Sequence, residues 1–67
     1  MEPTTAEARV LDHVARGKSN KEIAQALYIE VSTVKAHLNH VFPKIGASNR
    51  TQAAIIWRSR SELREVA

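Results

Sequence analysis

Apolar residues recur along this chain with helical spacing, and nowhere with the alternation of a half-buried strand. Val10, Leu11 and Val14 stand at i, i+1 and i+4, and Ile23, Ala24 and Leu27 repeat that spacing. Val34, Leu38, Val41 and Ile45 share a longer face at i, i+4, i+7 and i+11, with Phe42 beside them. Ala53, Ala54, Ile55, Ile56 and Trp57 then follow as five consecutive apolar residues. The pattern predicts an all-α fold with helices over about 5–16, 20–27, 31–42 and 50–62. They form one domain spanning 1–67, with frayed ends at 1–3 and about 63–67.

Helix boundaries are written beside the apolar stripes. Thr4 and Glu7 have the spacing of a capping box, in which each side chain bonds the other residue's amide, and Ser19 and Glu22 repeat it. Gly17 stops the first helix in the left-handed conformation that glycine adopts cheaply. Glu7, Arg9, Asp12 and Arg16 fall mostly outside the first stripe, and His13 is expected on the helix surface. Tyr28 and Ile29 form a short turn, Ile29 plugging the corner while Tyr28 packs over the turn or reaches a phosphate. Pro43 lacks an amide for the carbonyl of Asn39 and disfavours helical geometry at Phe42, so the third helix should end or kink there. Gly46 closes that segment, and Ser48 or Asn49 caps the fourth helix. Beyond Trp57 the tail is charged, with Leu63 and Val66 as weak apolar points.

Composition narrows the classes. A chain of 67 residues buries only about 60% of its unfolded surface, so its margin of stability is thin. It has no cysteine, which removes disulfide staples and thiolate metal sites and permits a reducing compartment. Ten Lys and Arg against seven Asp and Glu give a net charge of +3, with a pI near 9.8, a balance that suits a polyanionic partner. No apolar run of about 18 residues exists and no signal-peptide pattern opens the chain, so no membrane partner is expected.

The candidate chemistry lies on the third helix. Rotating by about 100° per residue puts Ser32, Ala36 and Asn39 opposite the apolar face, with Lys35 and His40 on its shoulders. A small residue between long or amide-bearing ones lets a helix seat deeply in a DNA major groove about 12 Å wide. There Asn bonds adenine in bidentate fashion and Lys donates to guanine. Asn20 and Lys21, in the first turn of the second helix, sit where free amides and the helix dipole attract a phosphate; they are alternatively solvated first-turn residues. Lys44 lies either on a phosphate or in solvent. His37 and His40 are three apart, but no third ligand completes a metal site, and neither a phosphate loop nor a nucleophile elbow is present. The chain does not read as an enzyme, and no cofactor or metal is expected. The run 53–57 covers every side of a helix, which suggests a partner subunit; alternatively Trp57 wraps the small core.

These residues resemble a known family. Thr4-x-x-Glu7-x-x-Val10-Leu11, Gly17-Lys18-Ser19-Asn20-Lys21-Glu22-Ile23-Ala24, Thr33-Val34-Lys35-x-His37-Leu38 and Lys44-Ile45-Gly46-x-x-Asn49-Arg50-Thr51 are similar to the LuxR/FixJ (GerE-type) helix-turn-helix, in order and spacing. The resemblance implies a four-helix DNA-binding domain whose third helix enters the major groove. It would serve cytoplasmic transcription regulation in bacteria, as the effector domain of a response regulator or as a small stand-alone regulator. Lys35, Ala36 and Asn39 fall at base-contacting positions. Asn20, Lys21, Ser32, Thr33, His37, Lys44 and Arg50 fall at or near backbone contacts. Ala54, Ile55, Trp57 and Arg58 fall on a fourth helix that mediates weak homodimerisation. The implied partners are double-stranded DNA with an inverted-repeat operator, a second copy of the chain, and RNA polymerase.

The chain departs from the family pattern at Pro3 and Ala6, where Leu and Arg are common. Glu30 stands where the family caps the third helix with Ser, and Pro43 where Arg is frequent. A carboxylate at 30 suits the helix dipole but repels a nearby phosphate. These departures leave a second reading: a helix-turn-helix module that binds another regulator through its fourth helix. Salt separates the two, because phosphate binding releases counterions and an apolar contact does not.

Overall fold

The structure, a computed structural model, describes the backbone of residues 2–66 and the side chains of residues 2–60. Four helices follow one another: α1 (Thr5–Ala15), α2 (Asn20–Leu27), α3 (Val31–Ile45) and α4 (Arg50–Val66), with no strand among the described residues. The expected fraying at Met1 and Ala67 lies outside those residues, as do the side chains of Leu63 and Val66.

Both capping boxes form. The Thr4 hydroxyl accepts the Glu7 amide at 3.2 Å and Glu7 Oε1 accepts the Thr4 amide at 2.8 Å. Ser19 and Glu22 make the same exchange at 3.1 and 2.8 Å. Gly17 takes φ +79°, and Lys18 then donates its amide to the carbonyl of His13 at 3.1 Å, closing a Schellman end on α1. Asn49 Oδ1 caps α4 by accepting the Gln52 amide at 2.9 Å, and Gln52 Oε1 accepts that of Ser48 at 2.7 Å.

Two apolar groups flank α1. Val10 and Val14 pack with Ile23 and Ala24 of α2 and Val34 and Leu38 of α3. Leu11 packs on the other side with Val41 of α3 and Ala53 and Trp57 of α4. Phe42 touches both groups. Each fully buried aliphatic contributes about 1.5–3 kcal/mol, which an eight-residue helix such as α2 needs because it is not stable alone. Ile29 seats against the first group, as its place in the corner requires.

Four sequence expectations need correction. Pro43 does not end α3, which runs on to Ile45 and stops at Gly46 (φ +76°). The reason is tertiary: Ile45 packs beside Leu11, Val41 and Trp57, while Pro43 is exposed, so one lost amide bond is outweighed. Glu7 does not fall outside the stripe but is buried among Val10, Leu11 and Val14. His13 is half-buried rather than on the surface, with Nδ1 sealed from solvent and without a hydrogen-bond partner. Helix α4 continues past residue 62 to Val66. Restoring the missing amide with Pro43→Ala should stabilise the domain by about 2 kcal/mol, the helix-interior cost of proline less its stiffening of the unfolded chain. A thermal melt monitored by circular dichroism checks this, and an unchanged or lower midpoint would show that the last turn prefers proline.

Candidate nucleic-acid interface

Only Tyr28, Ile29 and Glu30 separate α2 from α3. Tyr28 makes the turn this short by taking the left-handed conformation at φ 57°, which lets its neighbour Ile29 donate its amide to the carbonyl of Ala24 at 3.0 Å. A non-glycine residue in that conformation is uncommon, and it turns the Tyr28 ring into solvent, 95% exposed, rather than over the turn.

Because Val34, Leu38 and Val41 are buried, helical geometry fixes what α3 presents outward. Ser32, Lys35, Ala36, Asn39, His40 and Pro43 are all exposed and form one stripe along its length. Thr33 and His37 are half-buried at its edge. Lys35 and Asn39 engage in no hydrogen bond or ion pair among the described residues, so their donors are uncommitted. Glu30 caps α3 without a side-chain bond, leaving an exposed carboxylate at the start of the stripe.

The remaining expected contacts divide sharply. Lys21 is exposed in the first turn of α2. Asn20 is half-buried and its Oδ1 accepts from an Arg50 guanidinium nitrogen at 2.6 Å, while the other guanidinium nitrogen donates to the carbonyl of Lys18. Lys44 is turned inward: Nζ donates to Glu7 Oε1 at 2.8 Å, and only 16% of its side chain is exposed. Lys44, aided by the Thr4 amide, holds the buried Glu7 carboxyl down from 4.5 to about 2. His40 Nδ1 lies 3.6 Å from the other Glu7 oxygen. The sequence held a signal for this cluster: Glu7, Val10, Leu11 and Val14 have i, i+3, i+4, i+7 spacing, which puts a carboxylate on a core face where it needs a cation.

The α4 surface is smaller than the apolar run suggested. Trp57 is 4% exposed, and its indole N–H donates to Asp12 Oδ1 at 2.6 Å, so it belongs to the core. Ala54 is half-buried against the first apolar group. Arg58 donates to the carbonyl of Ala15 at 2.7 Å, placing a cation on the negative end of α1. Ile55 remains, 61% exposed. Arg60 sits 5.1 Å from the centre of the Trp57 ring and pairs with Glu2 at 2.8 Å, tying the start of the chain to α4.

A shallow hollow lies among Ala6, Arg9, Val10, Leu27, Ile29 and His37. Among the described residues no three of His, Cys, Asp and Glu converge as metal ligands, and no helix is long and apolar enough to cross a membrane. What the fold displays is a short helix, a three-residue turn and a longer helix with a polar outer stripe, the arrangement that defines a helix-turn-helix domain. Residues 4–57 match the family described as GerE: Bacterial regulatory proteins, luxR family, and the chain belongs to that family. It is a family of regulators rather than of enzymes.

Among its relatives, the chain is 50% identical over 52 residues to the uncharacterized transcriptional regulatory protein YhcZ of Bacillus subtilis, covering 78% of this chain and 24% of the relative. It is 44% identical to the transcriptional regulatory protein LiaR of the same organism and 42% to the response regulator protein VraR of Staphylococcus aureus, each over 52 residues, 78% of this chain and 25% of the relative. The chain thus spans about a quarter of the length of the curated relatives it matches.

Proposed function

We propose that this domain binds double-stranded DNA in a sequence-specific manner, with α3 in the major groove, and so directs transcription. The observation that carries the reading is the exposed stripe Ser32, Lys35, Ala36 and Asn39, with uncommitted donors at Lys35 and Asn39. Lys35 and Asn39 read base edges, and Ala36 lets the helix approach. Asn20, Lys21, Thr33 and His37 meet the phosphates and set the register. Lys44 is not among them, because its charge is spent on Glu7. Two copies joined weakly through α4 around Ile55 would read half-sites about one helical turn apart, beside RNA polymerase.

Lys35→Ala and Asn39→Ala should each cost about 1–3 kcal/mol on a selected site and relax base preference there. Lys21→Ala should weaken all sequences alike. Fluorescence anisotropy with a selected and a random duplex, across a salt series, measures both. An Asn39→Ala variant with unaltered base preference would mean that a different face reads the DNA. A protein-interaction module acting through α4 is the weaker reading: with Trp57 and Ala53 buried, only Ile55 remains as a large exposed apolar side chain on the described part of that helix. Binding to random duplex that falls as a power of salt concentration separates the two.

A further inference from the structure

Arg50 stands where the family resemblance implies a phosphate contact, yet its guanidinium is engaged inside the molecule. One nitrogen donates to Asn20 Oδ1 at 2.6 Å and the other to the carbonyl of Lys18. These two acceptors flank Ser19, the cap of α2. Helix α4 leans chiefly on α1 and less on α3, so Arg50, at its first residue, is the side chain that reaches from α4 to the start of α2.

The consequence lies in the side-chain amide of Asn20. An amide has one accepting end and one donating end, and either can face outward unless a neighbour fixes it. Arg50 has only donors, so it can pair only with the oxygen. Pairing there leaves the Asn20 NH₂ as the end that Arg50 does not hold, and it makes no hydrogen bond among the described residues. The backbone amides of Asn20 and Lys21 are also free of intrahelical partners in that turn, while the Glu22 amide is taken by Ser19. We infer that Arg50 is a positioning residue: it fixes Asn20 so that its NH₂ donates to a DNA phosphate at the start of α2, and does not itself touch the DNA. This rests on the DNA-binding reading and assigns how one of its contacts is oriented.

A mutant cycle on random duplex tests it by anisotropy, with thermal melts alongside. Arg50→Lys keeps the charge but loses the two-pronged donor, and Asn20→Ala removes the contact. Each should lower affinity about fivefold to tenfold, and the double variant should be no worse than either single. The salt dependence of Arg50→Lys should match the wild type. Asn20→Asp guards against a folding defect, since a carboxylate keeps the bond to Arg50 and suits a helix start. It should melt at or above the wild-type temperature yet bind DNA more than about tenfold more weakly. Additive losses in the double variant, or wild-type binding by Asn20→Asp, would overturn the assignment. If the wild-type domain binds no duplex even at low salt, it is the DNA reading that fails.

Discussion

Trp57→Ala should unfold a large fraction of this domain at room temperature, not merely weaken a dimer. The ring is 4% exposed, packed with Leu11, Val41 and Ala53, and bonded to Asp12 through its indole N–H. Replacing a buried Trp with Ala typically costs about 3–5 kcal/mol, because transfer energy is lost and a cavity remains. A domain of this size has a total stability of about 3–10 kcal/mol, so the substitution removes much or all of it. Urea denaturation followed by circular dichroism gives the loss directly. Trp57→Phe should recover most of it and leave the deficit of one hydrogen bond, about 1 kcal/mol. A Trp57→Ala protein as stable as the wild type but altered in self-association would return the ring to an interface.

That result also locates where association can occur. On the described part of α4, Ile55 is the exposed large apolar residue, and a single such side chain supports only weak pairing. Stability and association should therefore separate cleanly along this helix, with position 57 governing the first and position 55 the second.

What could be read from the sequence, and what could not, follows the range of the interactions. Both Thr/Ser–Glu capping boxes, the stop at Gly17 and the outward stripe of α3 were legible because their partners lie within one or two turns. The long-range partners of Lys44, Arg50 and Trp57 were not. Lys44 meets Glu7 across 37 residues, Arg50 meets Asn20 across 30, and Trp57 meets Asp12 across 45. Local pattern gives Lys44 as a phosphate contact or a solvated charge and leaves Trp57 between a partner surface and the core, while the family resemblance gives Arg50 as a backbone contact; each side chain has the right chemistry for such a role. Only the chain's return path decides which partner is nearer. Pro43 failed for the same reason: its local cost was real, but contacts of Lys44 and Ile45 with α1 and with the second apolar group hold the last turn.

The Glu7–Lys44 pair should set the acid limit of the fold. Glu7 is held at about 2 when folded, against 4.5 as its ordinary value, first by the Lys44 hydrogen bond and then by the Thr4 amide. The folded value is the lower, so between them the unfolded chain binds more protons. The stabilisation is therefore complete above about pH 5 and is lost as pH falls from there toward 2. A shift of this size corresponds to about 3 kcal/mol, and both partners are largely buried, so solvent screens it little. Glu22 is lowered as well, by the Ser19 amide and hydroxyl, but it is exposed, so the steep part of the acid limb should belong to Glu7. Lys44→Met tests the assignment. It keeps the aliphatic stem and leaves a buried carboxylate without its cation, so it should lower stability at pH 7 by about 2–3 kcal/mol. It should also flatten the decline between pH 5 and 2.5, because Glu7 then protonates in the folded state at a more ordinary pH. Urea midpoints across that range show whether the slope changes. If the variant is destabilised but keeps the wild-type slope, Lys44 contributes only through its stem, and another carboxylate sets the acid limit.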